Sequence, residues 1–254
     1  MPSTYANNDE ECMTLDLYAE DEVTGAKAIL SYTVFENYGV MTKSVKIING
    51  SNKPMIIEKA YSASINLNGM DYDMYHLYGC HVRERNMEIT PLTHGHTSIS
   101  STRGSSSHQH NPFCAIASKK VTEDNGEAYG FNLVYSGSFD ITADCDFYGT
   151  TRINIGINPD GFSWKLNPNE EFQTPEVVCV YSNNGLGDMS RTFHRFYSNN
   201  LIRGKWKYKK RPLLINSWEA AYFDFDTDKL VAFAKEAKEL VRKLSMLPNS
   251  SSEV

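Results

Sequence analysis

Short apolar runs of period two follow one another from residue 14 to about residue 182, and they constrain this chain more than any other feature in it. Successive strand residues face opposite ways, so Thr14-Leu15-Asp16-Leu17-Tyr18 reads as a strand with one apolar face. Ile29 to Phe35, with Leu30, Tyr32 and Val34 on one side, reads the same way. Val45-Lys46-Ile47-Ile48 runs into Asn49-Gly50, a strong turn dipeptide, and Met55 to Leu67 then reads as the return strand or strands. Tyr129 to Tyr135, Thr151 to Ile157 and Glu171 to Tyr181 are further strands, separated by Gly137, Asn158-Pro159-Asp160-Gly161 and Asn167-Pro168-Asn169. Strands in such a series predict an antiparallel sandwich or barrel.

The pattern changes near Leu201. Arg203, Lys205, Lys207, Lys209, Lys210 and Arg211 crowd around Trp206 and Tyr208, and this cluster reads as a solvated linker. Pro212-Leu213-Leu214-Ile215-Asn216 follows as a compact apolar run of the buried-strand type. Asp226 or Thr227 then caps a helix. Its apolar stripe is Leu230, Phe233, Ala234, Ala237, Leu240, Val241 and Leu244, and Leu247-Pro248 stops it. Strand then helix is the opening unit of a parallel α/β domain, and one such unit cannot bury both sides of its own strand.

With 254 residues, 41% hydrophobic and 22% charged, the chain has material for one large core or two modest ones, which excludes a disordered or collagenous chain. The 25 Lys and Arg against 31 Asp and Glu leave a net charge of -6, which argues against a nucleic-acid partner. The N-terminal residues carry no basic region followed by an apolar one, and no apolar run approaches the ~18 residues that cross a bilayer. A soluble protein with no membrane partner is the expectation. Cys12, Cys80, Cys114, Cys145 and Cys179 are odd in number and never form C-x-x-C, so buried thiols in a reducing cytoplasm are expected.

The densest polar segment is Arg103-Gly104-Ser105-Ser106-Ser107-His108-Gln109-His110-Asn111-Pro112-Phe113, with His94 and His96 upstream. His-x-His puts two imidazoles on one face of an extended segment, but no carboxylate or cysteine at ligand spacing completes a metal site. A hydrogen-bonded loop is the favoured reading, with Ser98 to Ser107 a candidate functional loop. No G-x-S-x-G elbow marks a serine hydrolase. Arg83-Glu84-Arg85 reads as a solvated charge cluster. Trp218 beside Glu219, at the carboxyl end of the expected strand, offers a flat indole of the kind that receives a sugar face.

At these residues the chain resembles a known family. The series runs through Tyr32-Thr33-Val34-Phe35-Glu36, Arg83-Glu84-Arg85, the block from Arg103 to Phe113, Tyr129-Gly130-Phe131 and Leu133-Val134-Tyr135-Ser136-Gly137. It continues with Gly156-Ile157-Asn158-Pro159, Gln173-Thr174-Pro175-Glu176 and Arg211-Pro212-Leu213-Leu214-Ile215-Asn216-Ser217-Trp218-Glu219-Ala220. In order and content it resembles bacterial α-galactosidases of the raffinose and melibiose type, glycoside hydrolase family thirty-six, over roughly residues 1 to 240.

The resemblance implies a mainly β fold: a galactose-mutarotase-like β-supersandwich over residues 1–205, incomplete at its N-terminus, then linker, first barrel strand and helix over 206–254. Only the first βα unit of a truncated (β/α)8 barrel would be present. The implied reaction is retaining hydrolysis of terminal α-galactosyl residues by two aspartates about 5 Å apart. Both belong to motifs of the type Lys-x-Asp and Ser-Gly-Gly-Gly that this sequence lacks, so no catalytic residue is assigned and the chain alone is expected to be inactive. After Leu240 the text departs abruptly from the family, as a frameshift or truncated gene would. Two substrate contacts carry across. Trp218 matches the family's galactose-pocket tryptophan, and His81 stands two residues before Arg83-Glu84-Arg85, where the family usually has tryptophan. No metal or cofactor is implied. The implied partners are α-galactosides such as melibiose and raffinose, with homo-oligomers for full-length members. The alternative is a non-catalytic carbohydrate-binding or assembly module.

Overall fold

A computed structural model describes residues 3–212 and 214–245, and it separates into two compact units, residues 1–203 and 204–254. The first unit is almost wholly antiparallel β structure. Its larger sheet is nine-stranded. In spatial order it runs β1 (Met13–Glu20), β2 (Ala26–Phe35), β3 (Val40–Asn49), β15 (Glu176–Ser182), β10 (Ala128–Val134), β9 (His110–Ser118), β6 (Tyr72–Cys80) and β7 (Arg83–Pro91). The short β14 (Glu171–Gln173) also pairs with β3. A four-stranded sheet runs β5 (Tyr61–Asn68), β12 (Thr150–Ile157), β11 (Phe139–Cys145) and β8 (Gly95–Ser100). A small ribbon joins β13 (Trp164–Leu166) to β4 (Met55–Ile57).

The period-two pattern explains the layering. Phe131, Leu133, Val177 and Cys179 of the large sheet meet Ile141, Ile153, Ile155 and Phe139 of the small one in a single buried cluster. The opposite face of the large sheet is also covered, by helix α1 (Gly185–Asn200). Met189, Phe193 and Phe196 of α1 bury themselves against Ala115, Ala117, Ala128, Val178 and Val180. Phe196 stands edge-on to Phe35 with ring centroids 4.8 Å apart. A third cluster, with Ile57, Leu166 and Phe172, forms around the small ribbon. The mainly β, two-layer fold expected from the sequence is the fold found.

Some elements differ from expectation, each for a physical reason. Asn49-Gly50 does not turn the chain back on β3. Asn49 is buried and its amide donates to the carbonyls of Leu166 and Lys53, while the Gly50 N–H donates to Gly25 at 2.9 Å. A Cβ on Gly50 would stand 2.8 Å from that Gly25 oxygen, so glycine lets the chain cross out of the sheet. Met55 to Leu67 is accordingly two strands, β4 and β5, paired elsewhere. Glu171 to Tyr181 is likewise broken, because Pro175 has no N–H for a ladder. Thr174 repairs the gap, its hydroxyl accepting from the Val45 N–H and its N–H donating to the Val45 carbonyl, both at 2.9 Å.

In the second unit, α2 (Trp218–Ala221) and α3 (Thr227–Ser245) follow the linker. Asp226 caps α3 as expected, its carboxylate accepting from the Lys229 N–H at 2.8 Å. The expected strand at 212–216 is not formed among the described residues: Leu214 and Ile215 are 93% and 56% exposed and no strand pairs with them. A strand is defined by its neighbour's hydrogen bonds, and this run has no neighbour among the described residues. Leu213, the side chains of Val241 and Leu244, and the Leu247-Pro248 stop lie outside the described residues. Leu230 and Leu240 on the apolar stripe of α3 are exposed.

Truncating Phe196 to alanine should cost about 3–5 kcal/mol, read as a lower urea midpoint at unchanged slope. A thiol reagent applied to the native protein should modify exposed Cys80 first and half-buried Cys12 more slowly. Cys114, Cys145 and Cys179 should react only after unfolding, since all three are buried and burial pushes the Cys179 thiol up to about 12.

Candidate functional site

His81 sits at the tip of the β6–β7 hairpin. The ladder runs to Tyr78↔Asn86 and then to Cys80↔Arg83, so β7 holds one extra residue there. Arg85, at φ 57°, absorbs the resulting bulge, and Val82, at φ 67°, completes the turn in the left-handed region. That conformation costs a β-branched residue ~1–2 kcal/mol. The Val82 N–H donates to Glu84 Oε1 at 3.2 Å and Asn86 donates to the Arg83 carbonyl at 2.8 Å, which offsets part of the cost. Gly79 is required, because a Cβ there would lie 2.5 Å from the Arg83 oxygen. The hairpin's base is held by Gly79 N–H to Gln109 O at 3.0 Å. The charge cluster Arg83-Glu84-Arg85 is thus a bulge that shapes the turn under an exposed imidazole.

Trp218 belongs to the second unit. Asn216 Oδ1 accepts from the Trp218 N–H at 3.0 Å and starts the single turn of α2, which Tyr222 ends at φ 47°. The indole is 47% exposed and is flanked edge-on by Tyr222 and Phe223, with centroids 5.4 and 5.0 Å away. About half of the residue is therefore open to solvent beside two aromatic neighbours. His81 and Trp218 belong to different units.

The histidines of the two His-x-His motifs separate. His96 lies on β8 in the small sheet, where its Nδ1 meets Asp144 Oδ1 at 2.6 Å. His110 opens β9 in the large sheet, 6.0 Å by ring centroid from His76. Among the described residues no three His, Cys, Asp or Glu side chains gather as metal ligands do. Ser101–Gln109 is a hydrogen-bonded loop, as read from the sequence. Ser101 Oγ donates to the Ser105 carbonyl at 2.6 Å, the Gly104 N–H donates to Ser138 Oγ at 2.8 Å, and Ser106 N–H to Ser136 O at 2.8 Å. The first part of the predicted loop, through Ser100, is strand β8.

Sequence reasoning missed a cleft of about 440 Å³ between α1 and strands β6, β7 and β9. Phe113, Met189 and Phe193 line it, together with Asn111, whose Oδ1 is buried without a hydrogen-bond partner. The signal was present in the spacing of Leu186, Met189, Phe193, Phe196 and Tyr197, which is helical.

Comparison with known proteins decides the family. Residues 1–167 match the glycosyl hydrolase family 36 N-terminal domain, and residues 171–249 match the melibiase domain. The chain belongs to glycosyl hydrolase family 36. The α-galactosidase AgaA of Geobacillus stearothermophilus is 44% identical over 247 residues, 97% of this chain and 34% of that protein. Mel36A, an α-galactosidase of Lactobacillus acidophilus, is 40% identical over the same length. The crystal structure of AgaA superposes with a TM-score of 0.91 across 94% of this chain and 33% of its own. Structures of AgaA variants hold raffinose and stachyose. This family 36 chain spans about a third of the length of the curated relatives it matches.

The hairpin that carries His81 should also be acid-sensitive at its root. Burial holds the His76 imidazole of β6 below its ordinary 6.5, with Glu88 opposing and His110 reinforcing the fall. The unfolded chain then binds more protons just below that ordinary value, so stability present above about pH 6.5 is lost as the pH falls through the native value. The urea midpoint should drop between about pH 7 and about pH 5, and His76→Gln should flatten that slope. An unchanged slope would assign the loss to other groups.

Proposed function

We propose that the protein to which these residues belong is an α-galactosidase, removing terminal non-reducing α-D-galactosyl residues from melibiose- and raffinose-type oligosaccharides with retention of configuration. The observation that carries this reading is the 44% identity to AgaA across 97% of the chain, together with the raffinose and stachyose held in AgaA variant structures. In this reading Trp218 supplies an indole face to the galactosyl ring, and His81 contributes an imidazole with less stacking area but an added hydrogen bond. The nucleophile and the acid/base, two carboxylates about 5 Å apart, are assigned to no residue of the 254. Chemistry then belongs to the part of the relatives that this chain does not match. Unpaired cysteines suit a reducing cytoplasm, and a homo-oligomer is proposed from the family resemblance.

A chimera tests this directly. The matching third of AgaA is replaced by this chain, and hydrolysis of p-nitrophenyl α-galactoside is measured for the chimera and for the chain alone. The chimera should turn over and the chain alone should not; turnover by the purified chain would overturn the assignment of the carboxylates. In the chimera Trp218→Ala should lower kcat/KM by about tenfold, equivalent to roughly 1.4 kcal/mol. His81→Trp should lower KM by enlarging the stacking area.

A further inference from the structure

We propose that the outer face of the four-stranded sheet is a second binding surface, built for a neutral oligosaccharide. This does not rest on the α-galactosidase reading, because neither His81 nor Trp218 takes part. The register places the outward side chains in three cross-strand rows. One is Ser100–Asp140–Gly156–Tyr61, the next Ser98–Thr142–Asn154–Ser64, and the third His96–Asp144–Arg152–Asn66. No apolar side chain interrupts them.

A merely solvated face would be polar too, but two features go further. Asp140 lies on this outer face, yet as a residue it is only 9% exposed. Tyr61 crosses Gly156 to donate its hydroxyl to Asp140 Oδ2 at 2.6 Å, and Lys59 Nζ stands 4.6 Å over the tyrosine ring. A polar cleft of about 430 Å³ results, with Tyr61, His96, Asp144 and Asn154 among its lining residues. It adjoins a second of about 420 Å³ that Asp146 and Thr150 line. The other feature lies at the tip of the β11–β12 hairpin, between Asp146 and Thr150. Phe147 and Tyr148 are 79% and 82% exposed and their ring centroids are 4.0 Å apart. Two large rings left exposed beside a polar cleft present apolar surface that an apolar sugar face would cover.

The chemistry of the rows selects the ligand. Asp140, Asp144 and Asp160 outweigh Lys59 at the first cleft, which disfavours an anion. A metal ion is disfavoured because among the described residues no three His, Cys, Asp or Glu side chains gather as ligands, and both Asp144 oxygens are engaged. Asp144 Oδ1 pairs with His96, and its Oδ2 accepts from Asn154 at 3.1 Å and Thr142 at 3.3 Å. Hydroxyls donate and accept, so a polyhydroxylated ligand fits alternating serine, asparagine, aspartate and arginine groups. The network also holds those side chains in place before binding, which lowers the ordering cost.

The 254-residue chain, labelled with ¹⁵N, should be titrated separately with raffinose and with maltotriose to about 50 mM, a ceiling set by millimolar affinity. The expected result is saturable amide shifts on β5, β12 and β11 and at Tyr148 with at least one sugar. Tyr148→Ala, which removes an exposed ring and leaves the core intact, and Asn154→Ala should each raise Kd at least about fivefold. Three results would overturn the proposal. One is the absence of shifts with either sugar, another is shifts confined to the surroundings of His81 or Trp218, and the third is a Kd unmoved by both variants. A fall in molar mass by light scattering on Phe147→Ala, without sugar binding, would instead assign the aromatic pair to a protein contact.

Discussion

Helix α1 can close on the large sheet only because the strands beneath it present small residues, and the rest of the architecture depends on that contact. Ala115 and Ala117 of β9 and Ala128 and Gly130 of β10 form a shallow bed, and a Cβ on Gly130 would stand 2.5 Å from the Phe193 ring. The same strands turn Cys114, Ile116, Phe131 and Leu133 to the small sheet on the other side. Covered on both faces, β10 and β15 cannot slip by a residue without exchanging small for large across two cores at once. That fixes β9, then β6 beside it, and at the end of the series the hairpin that raises His81.

Much of this was legible in the sequence, and the failures have physical causes. Alternation identified strands whose two faces differ, such as β12, where Thr151, Ile153 and Ile155 are buried and Arg152 is exposed. It missed β11, where Phe139 to Cys145 alternates apolar and polar residues but ends in aspartates that look like loop, and β6, where Tyr75 and His76 are both buried. It missed α1 because Gly185, Gly187 and the closing asparagines weaken the helical signal, while Met189, Phe193 and Phe196 are set by packing against the sheet. It joined β14 to β15 because the repair of the ladder by Thr174 is a tertiary contact with Val45, far away in sequence.

The site was legible unevenly for a different reason. The side chains with the most conspicuous local chemistry include His96 and the serine-rich run, which hold a sheet face and a loop together. The residues proposed here to meet the sugar are an indole on a four-residue helix and an imidazole on a strained turn. Neither is distinctive until the order of neighbouring motifs is seen. That order is what local chemistry could not supply.

The β1–β2 ribbon carries a last consequence. Every residue of β1 is exposed, and among the described residues β1 pairs with β2 alone. Its register is locked by backbone hydrogen bonds, the Thr14–Thr33 hydroxyl pair at 2.9 Å and the Lys27–Glu20 ion pair at 3.0 Å, with no buried side chain to resist opening. The large sheet is therefore a graded structure and not a uniform slab. Local opening begins at β1, meets rising resistance through β2 and β3, and stops at β15 and β10, so amide exchange follows spatial order across the sheet and ignores order along the chain.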